Sequence, residues 1–120
     1  MESNQPRVNI LSRPIFDDQG ESTAYLCIFE YDNAIQASLY DKSPRLGSMT
    51  LAYPVVDNIE RQTIIAGKHE QLSAALGLLL VRRTKKIVYA SVNLVEHTSV
   101  TNELIKDMIR EYIEILENRQ

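Results

Sequence analysis

The chain has 120 residues, 44% hydrophobic and 24% charged, with 13 basic against 16 acidic side chains and a formal net charge of -3. This length suits one domain, residues 1–120, and the composition excludes collagen, low-complexity disorder and a coiled-coil rod. A mildly acidic chain lacks the cationic surface that bulk nucleic-acid binding requires, and one cysteine, Cys27, excludes an intramolecular disulfide and a multi-cysteine zinc site.

Residues 1–7 read as a polar tail with no targeting signal. Val8 to Phe16 has strand composition, with Pro14 placing it at an edge or a bend. Asp17 to Ser22 reads as a polar turn. Tyr25, Cys27, Phe29 and Tyr31 then alternate with Leu26, Ile28 and Glu30. Both faces are mostly apolar, which predicts a central strand covered on two sides and Cys27 as an inert core thiol. Asp32-Asn33 suits a tight hairpin turn. Ile35 to Tyr40 gives a half-exposed partner strand, and Ser48 to Tyr53 a further one closed by Pro54. Val55 to Gln62 carries no clear period, and Thr63 to Ala66 reads as a short strand.

From Lys68 the period becomes helical: Leu72, Leu76, Leu79 and Leu80 form one stripe. Ala74, Ala75, Leu78 and Val81 widen it until the helix is apolar nearly all round, so it is either clamped between sheet and neighbour or half turned to a partner. Gly77 marks a close backbone approach. The longest apolar run, Leu72 to Val81, falls well short of the about 20 residues that span a bilayer. Lys86 to Leu94 returns to strand, and Thr98 or Ser99 caps a second amphipathic helix from about Val100 to Glu117. The reading is α+β: an antiparallel β-sheet meander of about six strands packed with two α-helices.

No catalytic constellation is read from the sequence. His69 and His97 stand at helix starts without the i, i+4 partner of a helical metal site. Ser91 lacks a nucleophile elbow and reads as a structural hydroxyl, and the glycines form no phosphate loop. No catalytic, cofactor or metal residue is expected. The one concentrated charge is Arg82, Arg83, Lys85 and Lys86. The helix macrodipole accounts for about half of it, and an acidic partner surface for the rest.

Leu76 to Leu94 resembles the best-kept stretch of proteasome assembly chaperone 4. Leu76 and Leu80 are followed by the basic-Thr-x-Lys cluster of Arg82, Arg83, Thr84 and Lys86, then by Val88, Tyr89, Ser91, Asn93 and Leu94 in the strand. The resemblance implies a small non-enzymatic α+β protein that pairs with a chaperone-3-like subunit. It also implies binding to proteasome alpha-type subunits, notably the fifth, during ring assembly. The polar N-terminus and the short apolar runs lead to the expectation of a cytoplasmic or nuclear chain with no membrane partner, and the mild acidity to that of no nucleic-acid partner. The alternative is a small dimeric scaffold of the roadblock or longin type, which places a helix between its second and third strands. The apolar excess predicts that the chain is not a stable isolated monomer at high concentration.

Overall fold

The computed structural model describes residues 5–17, 20–95 and 102–118. In chain order these form β1 (Arg7–Asp17), β2 (Gly20–Glu30), β3 (Ala34–Tyr40), β4 (Ser48–Val55), β5 (Asn58–Ile65), α1 (Glu70–Thr84), β6 (Ile87–Asn93) and α2 (Asn102–Glu117). The strands make one sheet in the order β1-β2-β3-β6-β4-β5. Four of its pairings are antiparallel, as expected. The fifth, β3 with β6, is parallel, with Ala34 opposite Ile87 and Tyr40 opposite Asn93. The fold is therefore α+β, a six-stranded, mostly antiparallel sheet with two helices in a single domain.

Both helices lie on the same face of the sheet. Leu11, Leu26, Ile28, Ile35, Leu39, Val88 and Val92 point toward them and are buried. From above, Leu76, Leu80 and Val81 of α1 and Ile105, Met108, Ile109 and Tyr112 of α2 complete the core. Gly77 sits where α1 touches the sheet: a β-carbon there would lie 3.2 Å from Ala52 Cβ and 3.6 Å from Ala90 Cβ. The predicted close approach is present, and a small alanine on each strand makes room for it. Arg13 of β1 pairs with Glu111 of α2 and fastens that helix to the sheet margin.

Several boundaries differ from expectation. Arg7 opens β1 opposite Glu30 instead of ending a tail, and the Asp17–Ser22 turn shrinks because Ser22 and Glu21 pair with Ile15 and Phe16. Pro14 lies on an edge strand, as predicted. β4 continues through Pro54, which pairs with Ile59. Of the unassigned stretch, Val55 ends β4, Val56 and Asp57 make the turn, and residues 58–62 join the short strand after them as one element, β5. His97, Thr98, Ser99 and Val100 lie outside the described residues.

The largest correction concerns β2. Leu26 and Ile28 are buried beneath the helices, whereas Phe29 and Tyr31 are exposed and Cys27 is half-buried on the opposite face. Within this chain the strand is covered on one side only.

Candidate functional site: an uncharged open sheet face

Strand pleating sends alternate side chains to opposite faces, and register fixes which ones share the uncovered side. β1 contributes Val8 and Ile10, β2 contributes Tyr25, Cys27 and Phe29, and β3 contributes Gln36, Ser38 and Tyr40. β6 adds Ile87 and Tyr89, and β4 adds Met49, Leu51 and Tyr53. Val8, Ile10, Phe29, Ile87 and Tyr89 are exposed, Ile10 by 61%. Tyr25 and Tyr40 stack at 5.4 Å between ring centroids.

Among the described side chains of β1, β2, β3, β6 and β4, none on this face is Asp, Glu, Lys or Arg. An antiparallel sheet that faces water normally alternates apolar-in with polar-out. The nearest charges alternate to the helix side or sit on the outer strand β5. Burial also raises the Cys27 thiol above its ordinary value, and it raises the Tyr40 phenol in the same way, with Cys27 and Tyr25 adding to the latter shift. Neither group therefore brings charge to the face at neutral pH. A cavity of about 260 Å³ opens on it, lined by Tyr31, Ala34, Ile35, Gln36, Met49 and Tyr89. Aromatic enrichment with charge depletion is the composition of a protein–protein interface core.

Because Cys27 lies here and not in the core, Cys27→Ala should change the stability of the isolated chain by less than about 1 kcal/mol. Urea unfolding of the pure protein checks this.

The basic cluster falls elsewhere, at the C-terminal end of α1. Arg82 and Arg83 are exposed in its last turn, and Lys85 is the C-cap residue, in the left-handed conformation with φ of 61°. Lys86 differs. Its Nζ lies 3.3 Å from Glu30 Oε2 and donates to the Tyr31 carbonyl at 2.9 Å, so it ties β6 to the end of β2. Side-chain exposures of 25% and 14% make the Lys86–Glu30 pair partly shielded. Lys86→Met should cost about 1 kcal/mol by taking the ammonium away from the partly shielded Glu30 carboxylate and the Tyr31 carbonyl, read from chemical denaturation. The sequence run of four cations thus presents three.

The candidate chemical residues have structural partners. His69 is buried at the start of α1, and its Nε2 lies 3.1 Å from the Leu94 carbonyl. Its backbone N–H donates to Ser48 Oγ at 3.1 Å. Thr50 Oγ1 and Ser73 Oγ share a buried hydrogen bond of 2.8 Å, and Ser91 Oγ accepts the Gly47 N–H at 2.9 Å. These contacts pin the N-terminal end of α1 and the 41–47 loop to the sheet. Among the described residues, no group of three or more His, Cys, Asp or Glu side chains is placed to hold a metal ion. No described helix is long and apolar enough to cross a membrane.

Sequence reasoning missed the open face because an apolar surface reserved for a partner has the same period as a core. The signal was present: a two-sided apolar pattern on β2 without enough helix to cover both sides.

No protein-family model and no curated protein matches the chain. A solved structure does: the crystal structure of a novel chaperone complex for yeast 20S proteasome assembly. It superposes with a TM-score of 0.60 at 12% sequence identity, over 92% of this chain and 96% of that one. The chain has the fold of a subunit in a yeast chaperone complex for 20S proteasome assembly.

Proposed function

We propose that the protein is a non-enzymatic assembly chaperone for the 20S proteasome core. It pairs with a chaperone-3-like subunit through the open sheet face, and the pair binds alpha-type subunits, notably the fifth, to promote alpha-ring formation. It works in the cytoplasm and nucleus. The observation that carries this reading is the uncharged, aromatic sheet face in a fold similar to a proteasome-assembly chaperone.

The area is sufficient. Strands about 4.8 Å apart and about 23 Å long give the six-stranded sheet roughly 600 Å² in plan. Pleat and side chains raise that toward the ~800 Å² per partner of an ordinary stable interface. A second subunit of the same fold presents a sheet of matching shape, and two sheets pack face to face about 10 Å apart. The roadblock or longin alternative places a helix between its second and third strands, whereas five strands precede α1 here.

Arg82, Arg83 and Lys85 are the proposed contacts with acidic surfaces of the assembly. Arg83→Gln with Lys85→Gln should slow association at low salt and weaken its salt dependence, while stability hardly moves. Stopped-flow association at two ionic strengths reads this out. An unchanged on-rate at both would leave the cluster with its helix-end role alone.

The functional test is co-expression with a chaperone-3-like subunit, followed by light scattering and addition of each recombinant alpha-type subunit. The expected result is a one-to-one pair that retains the fifth alpha subunit. A homodimer indifferent to the chaperone-3-like subunit, or a pair that binds no alpha-type subunit, would overturn the proposal.

A further inference from the structure

The geometry points to a second docking site, on the helix side of the sheet: a groove between α1 and the β4–β5 hairpin that takes an acidic partner segment bearing two or three large apolar side chains. The groove encloses about 850 Å³. Leu78, Val81, Arg82 and Lys85 line its helix wall. Their spacing of three, one and three residues puts all four on one face of α1. Across from them, Pro54 and Ile59 face each other on the hairpin, and Arg61 follows two residues later on the same side. The floor is therefore apolar, and the rim carries three cations, Arg61, Arg82 and Lys85, against the one carboxylate of Asp57 at the hairpin end.

None of Arg61, Arg82 and Lys85 has a carboxylate partner among the described residues. Asp57 and Glu60 also border the groove, at its hairpin end. Glu60 pairs with Tyr53 and so alternates to the open face, away from the cations. A neutral or basic segment seated here would strand three cations beside a desolvated surface, which is costly. Carboxylates satisfy them.

The backbone supplies an independent observation. Among the described residues, two that are not glycine have positive φ: Asp57 at 62° and Lys85 at 61°. Both line this groove. The position after a helix that adopts this conformation is usually glycine, because a β-carbon there is strained. Lysine at that position ends the helix less favourably than glycine would, and it brings an ammonium to the groove mouth. The Thr84 hydroxyl donates to the Leu80 carbonyl at 2.7 Å and accepts the Lys86 N–H at 3.3 Å, so the helix end is held firmly.

The inference deepens the reading of the basic cluster and rests on it only in that this end of α1 meets a partner. Its test uses no proteasome subunit. Random dodecapeptides displayed on phage are panned against the full chain, and the most enriched peptide is synthesised with a fluorescein label for anisotropy titration. Enriched sequences should combine Asp or Glu with Leu, Ile or Phe. Arg82→Glu should weaken the peptide about tenfold or more, and Tyr89→Arg on the open face should leave it unchanged. Lys85→Gly should raise the melting temperature and still weaken the peptide, a combination that a purely structural lysine would not give. No enrichment, enrichment without acidic residues, or equal affinity for Arg82→Glu and the parent would overturn the proposal. A failure of alpha-subunit binding with these results intact would instead overturn the proposed function.

Discussion

Tyr89→Arg is expected to weaken pairing through the open sheet face by roughly 100-fold or more, about 2.7 kcal/mol. Tyr89 pairs with Gln36 on one side and Leu51 on the other, so it stands near the middle of the uncharged face. It also borders the cavity of about 260 Å³ between Tyr31 and Met49, a socket that suits one aromatic or aliphatic anchor from a facing subunit. A guanidinium placed there would lose its water on association and find no carboxylate among the described side chains of the strands beside it, the carboxylate of Glu60 lying on the outer strand β5 beyond Leu51 and Tyr53. In the isolated chain Tyr89 is 41% exposed, so the same substitution should shift folding stability by less than about 1 kcal/mol. Sedimentation velocity of the co-expressed pair and thermal unfolding of the single chain separate the two effects. A variant that pairs normally would show that the face is covered in some other way.

Gly77→Leu is expected to destabilise the chain by about 3 kcal/mol or more. The β-carbon alone would sit 3.2 Å from Ala52 Cβ, closer than most such contacts. A larger side chain would have to drive α1 off β4 and β6, and the hairpin on β5 would follow. Gly77→Ala is the informative control. It gains helix propensity of about 1 kcal/mol and must displace Ala52 by only a few tenths of an ångström, so the net change should lie near zero. A small effect for Ala beside a large one for Leu, both from urea titration, identifies steric contact and not backbone freedom as the reason for glycine. Equal effects would reject that explanation.

How much of this was legible in the sequence depends on what each pattern physically reports. The helix stripes were readable because Leu76, Leu80, Met108, Ile109 and Tyr112 face a real core at helical spacing. β3, β4 and β6 were readable by alternation, since each has one face under the helices. Of β5 only the end, residues 63–65, was read, from its β-branched residues; residues 58–62 were not, because all residues of this strand but Ile59 are exposed. An outer strand with little covering it leaves no alternation to find. On β2, Cys27 and Phe29 share the alternation of Leu26 and Ile28, and hydrophobicity cannot distinguish burial within a chain from burial between chains. The groove beside α1 escaped notice for another reason: Arg61 and Arg82 are 21 positions apart in sequence, and only the hairpin fold brings them together.

The parallel join of β3 to β6 also governs the order in which a growing chain can become this protein. β1, β2 and β3 form a local ribbon, as do β4 and β5, and either can arise as soon as its turn is made. The two ribbons do not pair with each other; β6, from far downstream, is the plank between them. Until residues 87–93 leave the ribosome, the inner margins of β3 and β4 carry backbone amides and carbonyls with no strand beside them. Closure must wait for a contact more than fifty residues apart, a slow step by the standards of small domains. During that interval the newborn chain is itself prone to wrong pairings with neighbouring polypeptides.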